Sequence, residues 1–180
     1  KNNSLNIDAI EIDASACIDA KHNINRCPWS ENIKLHHLSL ADFQTKKLYD
    51  CIISNPPFFE NSLGAKSKER NHARHSNSLH YNDIILFAVN HLSKEGNLSI
   101  ILPVEQGLLC TINAKKNGLF LTRKCNVYPN AKKNQHRLLL EFSKAKKKQN
   151  ITELIIEEKV RHQYTQEYKS LTRDFYIIFD

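Results

Sequence analysis

The chain has 180 residues, 26 Lys and Arg against 19 Asp and Glu for a formal charge of +7, 41% hydrophobic residues, five cysteines, four glycines and no methionine. That length fits one domain, and the longest apolar stretch, around Ile84 to Val89, is far short of the ~20 residues of a membrane span, which excludes transmembrane and collagen-like classes. The polar start from Lys1 to Asn6 shows no secretory signal, and cysteines without a CxxC pair read as reduced cytosolic thiols, with no disulfide framework and no zinc site.

Leu5 to Ile12 (LNIDAIEI) carries β-branched residues at alternate places and reads as a buried strand; Ala14 to Arg26, with Asp13 as N-cap, reads as a helix. Pro28 and Trp29 break it. Ile33 to Leu38 forms a second strand, and Tyr49 to Ser54 a third that runs into Asn55, Pro56 and Pro57. From Glu60 to His80 no apolar period is visible and Ser, Asn, Lys, Arg and His dominate, the composition of a mobile substrate loop. A helix from Asn82 to Leu92, a turn at Lys94 to Asn97, and a strand from Leu98 to Leu102 closed by Pro103 follow. Val104 to Asn117 is helical with Gly118 as its C′ residue, and strands come next at Leu119 to Tyr128 and Arg137 to Phe142. The chain closes with a strand at Ile151 to Ile156, a short helix at Gln166 to Leu171 and an aromatic strand from Phe175 to Phe179. No internal repeat and no second domain is visible.

Strands alternating with helices, then two strands in succession, predict an α/β fold: a doubly wound, mostly parallel sheet with an antiparallel edge strand. Ligands in such sheets bind beyond the carboxyl ends of the strands. That rule nominates Glu11 and Ile12, Leu38 to Asp42, and Asn55 to Phe58, which belong to three strands expected to converge. Charge is unevenly spread as well. Lys115 to Lys148 holds eleven basic residues and one acidic, a local +10, which suits a polyanion because neutralised phosphates release counterions.

The most specific signal is Asn55-Pro56-Pro57-Phe58 after a strand. Two prolines cannot continue a ladder and they fix the backbone, so the Asn55 side chain and the Pro56 carbonyl are held at the strand end. Both carbonyl oxygens can accept hydrogens from one planar NH₂ group, and Phe58 can stack on the ring that carries it, at ~1–3 kcal/mol per stacked base.

This run resembles the Asn/Asp-Pro-Pro-aromatic motif of the amino methyltransferases in the S-adenosylmethionine-dependent class I superfamily. IDAIEID, Asn23-Ile24-Asn25, CPWSENIKLH, DCIISNPPFF, HRLLLEFS, the LeuPro at Pro103, and the tail with Tyr164, Glu167, Tyr168, Leu171 and FYIIF together resemble the bacterial tRNA1(Val) (adenine-N6)-methyltransferase family over nearly all of the chain. The resemblance implies a Rossmann-like class I methyltransferase with a seven-stranded sheet, and methylation of N6 of adenosine 37 of tRNA with S-adenosylmethionine converted to S-adenosylhomocysteine. It implies that Asn55, Pro56, Pro57 and Phe58 form the catalytic motif, and that Glu11, at a strand end, takes the ribose hydroxyls of the cofactor, with Ile12, Ser39, Leu40 and Asn55 completing its site. Ser39 stands where relatives often carry an Asp against the adenine amine, and Asp42 follows three residues later. Lys66, Lys68, Arg70 and Arg74 of the loop, with Lys132, Lys133 and Arg137, then serve as phosphate contacts. A cytoplasmic monomer without metal or membrane completes the expectation.

Such enzymes carry a glycine-rich loop ~20 residues before the acidic residue. Counting back from Glu11 passes Lys1, and a start on Lys1 without any Met points the same way. The first strand and its loop are therefore expected upstream of this chain, which as given should bind the cofactor weakly. Two other readings stay open: glutamine N5-methylation of a protein, which would use the same carbonyl pair, and a non-catalytic RNA-binding module if the chain is complete as given. The basic segment and the tail favour RNA methylation. His72, His75 and His80 have no metal-site spacing; Cys51 and Trp29 read as packing residues, and Tyr164, Tyr168 and Tyr176 as sealing the terminal sheet edge.

Overall fold

The computed structural model describes residues 5–57 and 79–177. They fall into two compact units, residues 5–46 and 79 in one and 47–57 with 80–177 in the other.

In the first unit, β1 (Ile7–Glu11) and β2 (Ile33–His37) pair in parallel, Ile7 opposite Ile33 and Glu11 opposite His37. Parallel neighbours need a crossover, and α1 (Ala14–Arg26) supplies it with the predicted boundaries. Asp13 caps this helix: its Oδ1 accepts from the Ala16 amide at 2.8 Å and from the Ser15 hydroxyl at 2.9 Å. The Ala16 bond first, then the Ser15 bond, hold the Asp13 carboxyl below its ordinary value of 3.8. Cys17 and Phe43 are the buried apolar side chains of this unit among the described residues. β1 is not the buried strand expected, for Ile7 is 47% exposed and no β1 residue is fully buried. Its ladder has a partner on one side among the described residues. Trp29, expected to pack, lies 66% exposed just before a 3₁₀ turn at Ser30–Asn32.

The second unit is a five-stranded sheet in the order β3-β4-β6-β5-β7. Its strands are β3 (Tyr49–Ser54), β4 (Leu92–Pro103), β5 (Phe120–Asn130), β6 (Arg137–Ser143) and β7 (Asn150–Glu157). β3 runs parallel to β4 and β7 parallel to β5, while β6 is antiparallel to both of its neighbours. The antiparallel strand expected at the edge therefore lies inside. Its own side chains explain this: Leu138, Leu140 and Phe142 are all buried, whereas β7 is exposed over its first half and forms the edge among the described residues. Seven strands are described, in sheets of two and five.

Alternate residues of β4 (Leu98, Ile100, Leu102) and of β6 build the core, and two helices supply it from their own buried stripes: α2 (Tyr81–His91) with Ile84, Ile85 and Ala88, and α3 (Val104–Lys116) with Gly107, Cys110 and Ala114. Gly107 lets α3 approach β6; a Cβ there would stand 2.8 Å from Leu138 Cδ1. α3 ends at Gly118, whose φ of +81° is the left-handed conformation expected of a C′ glycine.

The predicted turn at Lys94 to Asn97 is instead part of β4. The register jumps from Tyr49 opposite Leu92 to Cys51 opposite Asn97, so these residues form a bulge in a continuous strand. Gly96 makes this possible by passing under the β3 backbone, where an added Cβ would meet the Tyr49 carbonyl oxygen at 2.7 Å. Cys51, expected in the core, is exposed on β3, which has a strand partner on one side among the described residues, and its thiol donates to Asn97 Oδ1 at 3.5 Å. The aromatic tail is not a strand over Phe175 to Ile177, and its remainder lies outside the described residues. Instead α4 (Gln166–Thr172), capped by the Thr165 hydroxyl, follows a single bridge between Glu157 and Tyr164, and the Tyr164 and Tyr168 rings stack at 5.4 Å beside β7.

Gly96→Ala should destabilise the protein by about 1–3 kcal/mol by forcing two backbones apart, read as a lower urea midpoint at unchanged slope. Because the Asp13 pKa is depressed in the fold, its cap stabilises above the ordinary carboxylate pKa and is lost as pH falls through the lower folded value. Asp13→Ala should therefore lower Tm near neutrality and flatten the acid limb of the Tm–pH profile, whereas Asp13→Asn, which keeps the acceptor, should retain most of the helix stability.

Candidate active site

In the first unit the carboxyl ends of β1 and β2 meet. The Leu38 amide donates to the Glu11 carbonyl at 3.1 Å, extending the parallel pairing by one residue and bringing Glu11, Ile12 and the segment from Leu38 onward to one end. Glu11 is held there by the backbone: its Oε1 accepts from the Asp13 amide at 2.8 Å. Oε2 makes no hydrogen bond to a described residue. His37 Nε2 lies 3.3 Å from the Ile12 carbonyl oxygen and fixes the next peptide. Below this end, Asp8 and His36 pair at 2.8 Å, and the His36 ring meets Phe43 edge-on at 4.8 Å, tying both strands to the chain beyond Asp42.

Ser39 and Asp42 form a local turn. The Ser39 hydroxyl donates to Asp42 Oδ2 at 2.6 Å, and the Asp42 amide donates back to Ser39 Oγ at 3.2 Å. The hydroxyl at the Ser39 position is thus committed to Asp42, and the carboxylate stands directly beside it despite the three-residue separation in sequence. Spacing alone could have shown this, since a Ser followed by an Asp at the third place is a common local turn.

In the second unit β3 ends at Ser54, opposite Ile100, and releases Asn55, Pro56 and Pro57 at the carboxyl end of the sheet. Pro56 is buried, while Asn55 and Pro57 are exposed. The burial anchors the backbone whose carbonyl follows Asn55, and the Asn55 carboxamide makes no hydrogen bond to a described residue. Such an arrangement can accept hydrogens from a planar amine presented at the strand end. Phe58 lies outside the described residues, as do Lys66, Lys68, Arg70 and Arg74 and nearly all of the segment expected as a loop.

The β5–β6 hairpin stands at the same end of this sheet as Asn55, because Arg137 pairs with Val127 and with Pro103 at the carboxyl end of β4. Asn130 builds its turn: its Oδ1 accepts from the Lys132 amide at 3.1 Å and its carbonyl from the Lys133 amide at 3.2 Å. The exposed Lys132 and Lys133 side chains are therefore carried on this turn, with the half-exposed Arg137 at the start of β6 in the same hairpin. Sequence reasoning missed this organising Asn, although Asn before a Lys-rich turn is its usual signal.

His80 serves the fold by starting α2. Its side chain accepts from the Asn82 amide at 3.2 Å, and Asp83 reaches back to the His80 amide at 3.1 Å, which makes a capping box. Among the described residues no group of three or more His, Cys, Asp or Glu could hold a metal ion. Burial, with Glu11 and Asp13 nearby, pushes the Cys17 thiol up, and burial takes Cys110 to about 12. Both thiols stay protonated and serve as packing groups.

Residues 1–109 match the family model described as RMKL-like, methyltransferase domain. The tRNA1(Val) (adenine(37)-N6)-methyltransferase of Trichodesmium erythraeum is 40% identical over 175 residues, covering 96% of this chain and 73% of that protein. The protein of the same name from Bacteroides thetaiotaomicron is 35% identical over 172 residues, covering 96% and 72%. Among solved structures, a predicted O-methyltransferase from Agrobacterium tumefaciens matches with a TM-score of 0.65 at 17% identity over 92% of this chain and 76% of that one. That likeness shows the fold, a Rossmann-like methyltransferase α/β architecture.

Proposed function

The chain belongs to the tRNA1(Val) (adenine(37)-N6)-methyltransferase family, and from that premise we propose that it methylates N6 of adenosine 37 of this tRNA, with Asn55 and the Pro56 carbonyl gripping the amine. The observation that carries this reading is the Asn-Pro-Pro run at the carboxyl end of β3, with its proline buried and its carboxamide uncommitted among the described residues. The two carbonyl oxygens accept the two N6 hydrogens. That draws density onto the nitrogen and turns its lone pair out of the ring plane, toward the position of the methyl donor. Such catalysis works by positioning and partial charge, and calls for no general base with a displaced pKa. Phe58 stacks on the adenine and keeps it extruded; an anticodon-loop base is already easily unstacked.

The methyl donor is S-adenosylmethionine, which supplies an electrophilic methyl group on a sulfonium and leaves as S-adenosylhomocysteine. In the first unit the residues fit its adenosine part: Glu11, pinned through Oε1, presents Oε2 to a ribose hydroxyl, the usual work of an acidic residue after a strand of this kind. Ile12, Ser39 and Leu40 line the same end, and the Asp42 carboxylate bonded to Ser39 can accept from an adenine amine. Lys132, Lys133 and Arg137, with Lys66, Lys68, Arg70 and Arg74, contact tRNA phosphates. The chain acts as one methyltransferase domain, a cytoplasmic monomer; residues 60–78, the greater part of the expected substrate loop, lie outside the described residues.

Asn55→Ala should lower kcat by on the order of 10²–10³-fold while leaving the Kd for tRNA unchanged, measured by methyl incorporation and by filter binding. Near-full turnover in that variant would overturn the mechanism. Replacing Lys132, Lys133 and Arg137 together by Ala should weaken tRNA binding and reduce its salt slope by about 2–3, with turnover at saturating tRNA retained.

A further inference from the structure

The basic third of the sequence does not form one surface. β6 runs against its neighbours, so the residues before and after it emerge at opposite ends of the sheet. Lys132, Lys133 and Arg137 stand with Asn55 at the carboxyl end. Ser143, by contrast, pairs with Asn97 and Phe120 near the amino ends of β4 and β5, and Lys144 to Lys148 leave from there. α3 travels the same way: it starts at Pro103, at the first end, and delivers Lys115 and Lys116 to the second, just before β5 begins at Phe120.

Two of these lysines fasten the segment down. Lys144 Nζ donates to the Leu92 carbonyl at 2.7 Å, and the Lys146 ammonium sits 5.0 Å from the centre of the Phe120 ring. With the segment held, Lys147 and Lys148 stay exposed, as do Lys115 and Lys116. Asp50 and Glu95 are acidic side chains at the same end; Asp50 is bonded to the Ser93 hydroxyl at 2.7 Å, and Glu95 is flanked by Lys94. Positive charge dominates this end regardless. The paired stretch of β4 from Asn97 to Pro103 separates it from the carboxyl end by ~20 Å at the usual strand rise. Lysines at that distance cannot read the base being methylated. As point charges without bidentate geometry, they suit the phosphates of a helix recognised by shape.

We infer that this lysine-rich end is a second RNA contact, gripping phosphates of the substrate tRNA outside its anticodon hairpin. The inference rests on the proposed tRNA methyltransferase function. It makes the enzyme discriminate an intact tRNA from an isolated hairpin through charge alone, with no base contact at the far end.

The test is the double variant Lys147→Glu/Lys148→Glu, at positions with no hydrogen bond or ion pair among the described residues. Its affinity for intact tRNA should fall about tenfold or more at low salt, with a salt slope smaller by about 2. Methylation of an isolated anticodon stem-loop should proceed as in the wild type. Lys147→Arg/Lys148→Arg should keep the affinity for intact tRNA. Unchanged binding of intact tRNA by the charge-reversed variant would overturn the inference, as would an equal loss on the stem-loop, or a loss in the arginine variant. Failure of the wild type to methylate any RNA would instead overturn the proposed function and leave the binding comparison readable.

Discussion

Proline has no amide hydrogen to give a ladder, and the pair Pro56-Pro57 stops β3 at Ser54. Because β3 is paired in parallel with β4 up to Ile100, the stop falls at a fixed height, and Asn55 is released at the end of the sheet where ligands of such folds bind. Burial of Pro56 adds the second restraint. A side-chain carbonyl and a backbone carbonyl are thereby held one residue apart without any supporting hydrogen bond to a described residue. The same economy operates at Glu11, where one backbone amide fixes one carboxylate oxygen and leaves the other available.

The second organising feature is the reversed direction of β6. Its Leu138, Leu140 and Phe142 belong in the core, so it is drawn between β4 and β5. That placement returns the chain to the amino end of the sheet and divides a run of positive charge that is continuous in sequence. One part accompanies Asn55; the other is carried ~20 Å away at the strand rise of a β-sheet. Chain direction therefore determines which lysines stand at the same end of the sheet as Asn55.

Local features were legible from sequence because local physics decides them. Asp13 before an apolar period specified both the cap and the start of α1; YDCIIS followed by two prolines specified β3 and its end; Gly118 ended α3 in the left-handed conformation. What was not legible depended on partners distant in sequence. The place of β6 follows from which faces it buries, and nothing near Arg137 records that. Lys94 to Asn97 has turn composition, yet pairing with β3 carries the strand through it as a bulge, with Gly96 admitted under Tyr49. Aromatic content made Phe175 to Ile177 look like a strand, but an aromatic run extends only where a neighbour offers free amides and carbonyls. At the candidate site, the residue types at Glu11 and Asn55 were readable, whereas the Asp13 amide that pins Glu11 and the Asn130 turn that carries Lys132 and Lys133 are supporting arrangements visible only in three dimensions.

Methylation of a tRNA adenine amine is tested most directly by following the methyl group. The enzyme is incubated with S-adenosylmethionine carrying a labelled methyl and with tRNA from a strain lacking this activity, and the RNA is then digested to identify the labelled nucleoside. N6-methyladenosine confined to position 37 of one valine tRNA is the predicted result. Label absent from RNA and present on a protein glutamine would contradict it.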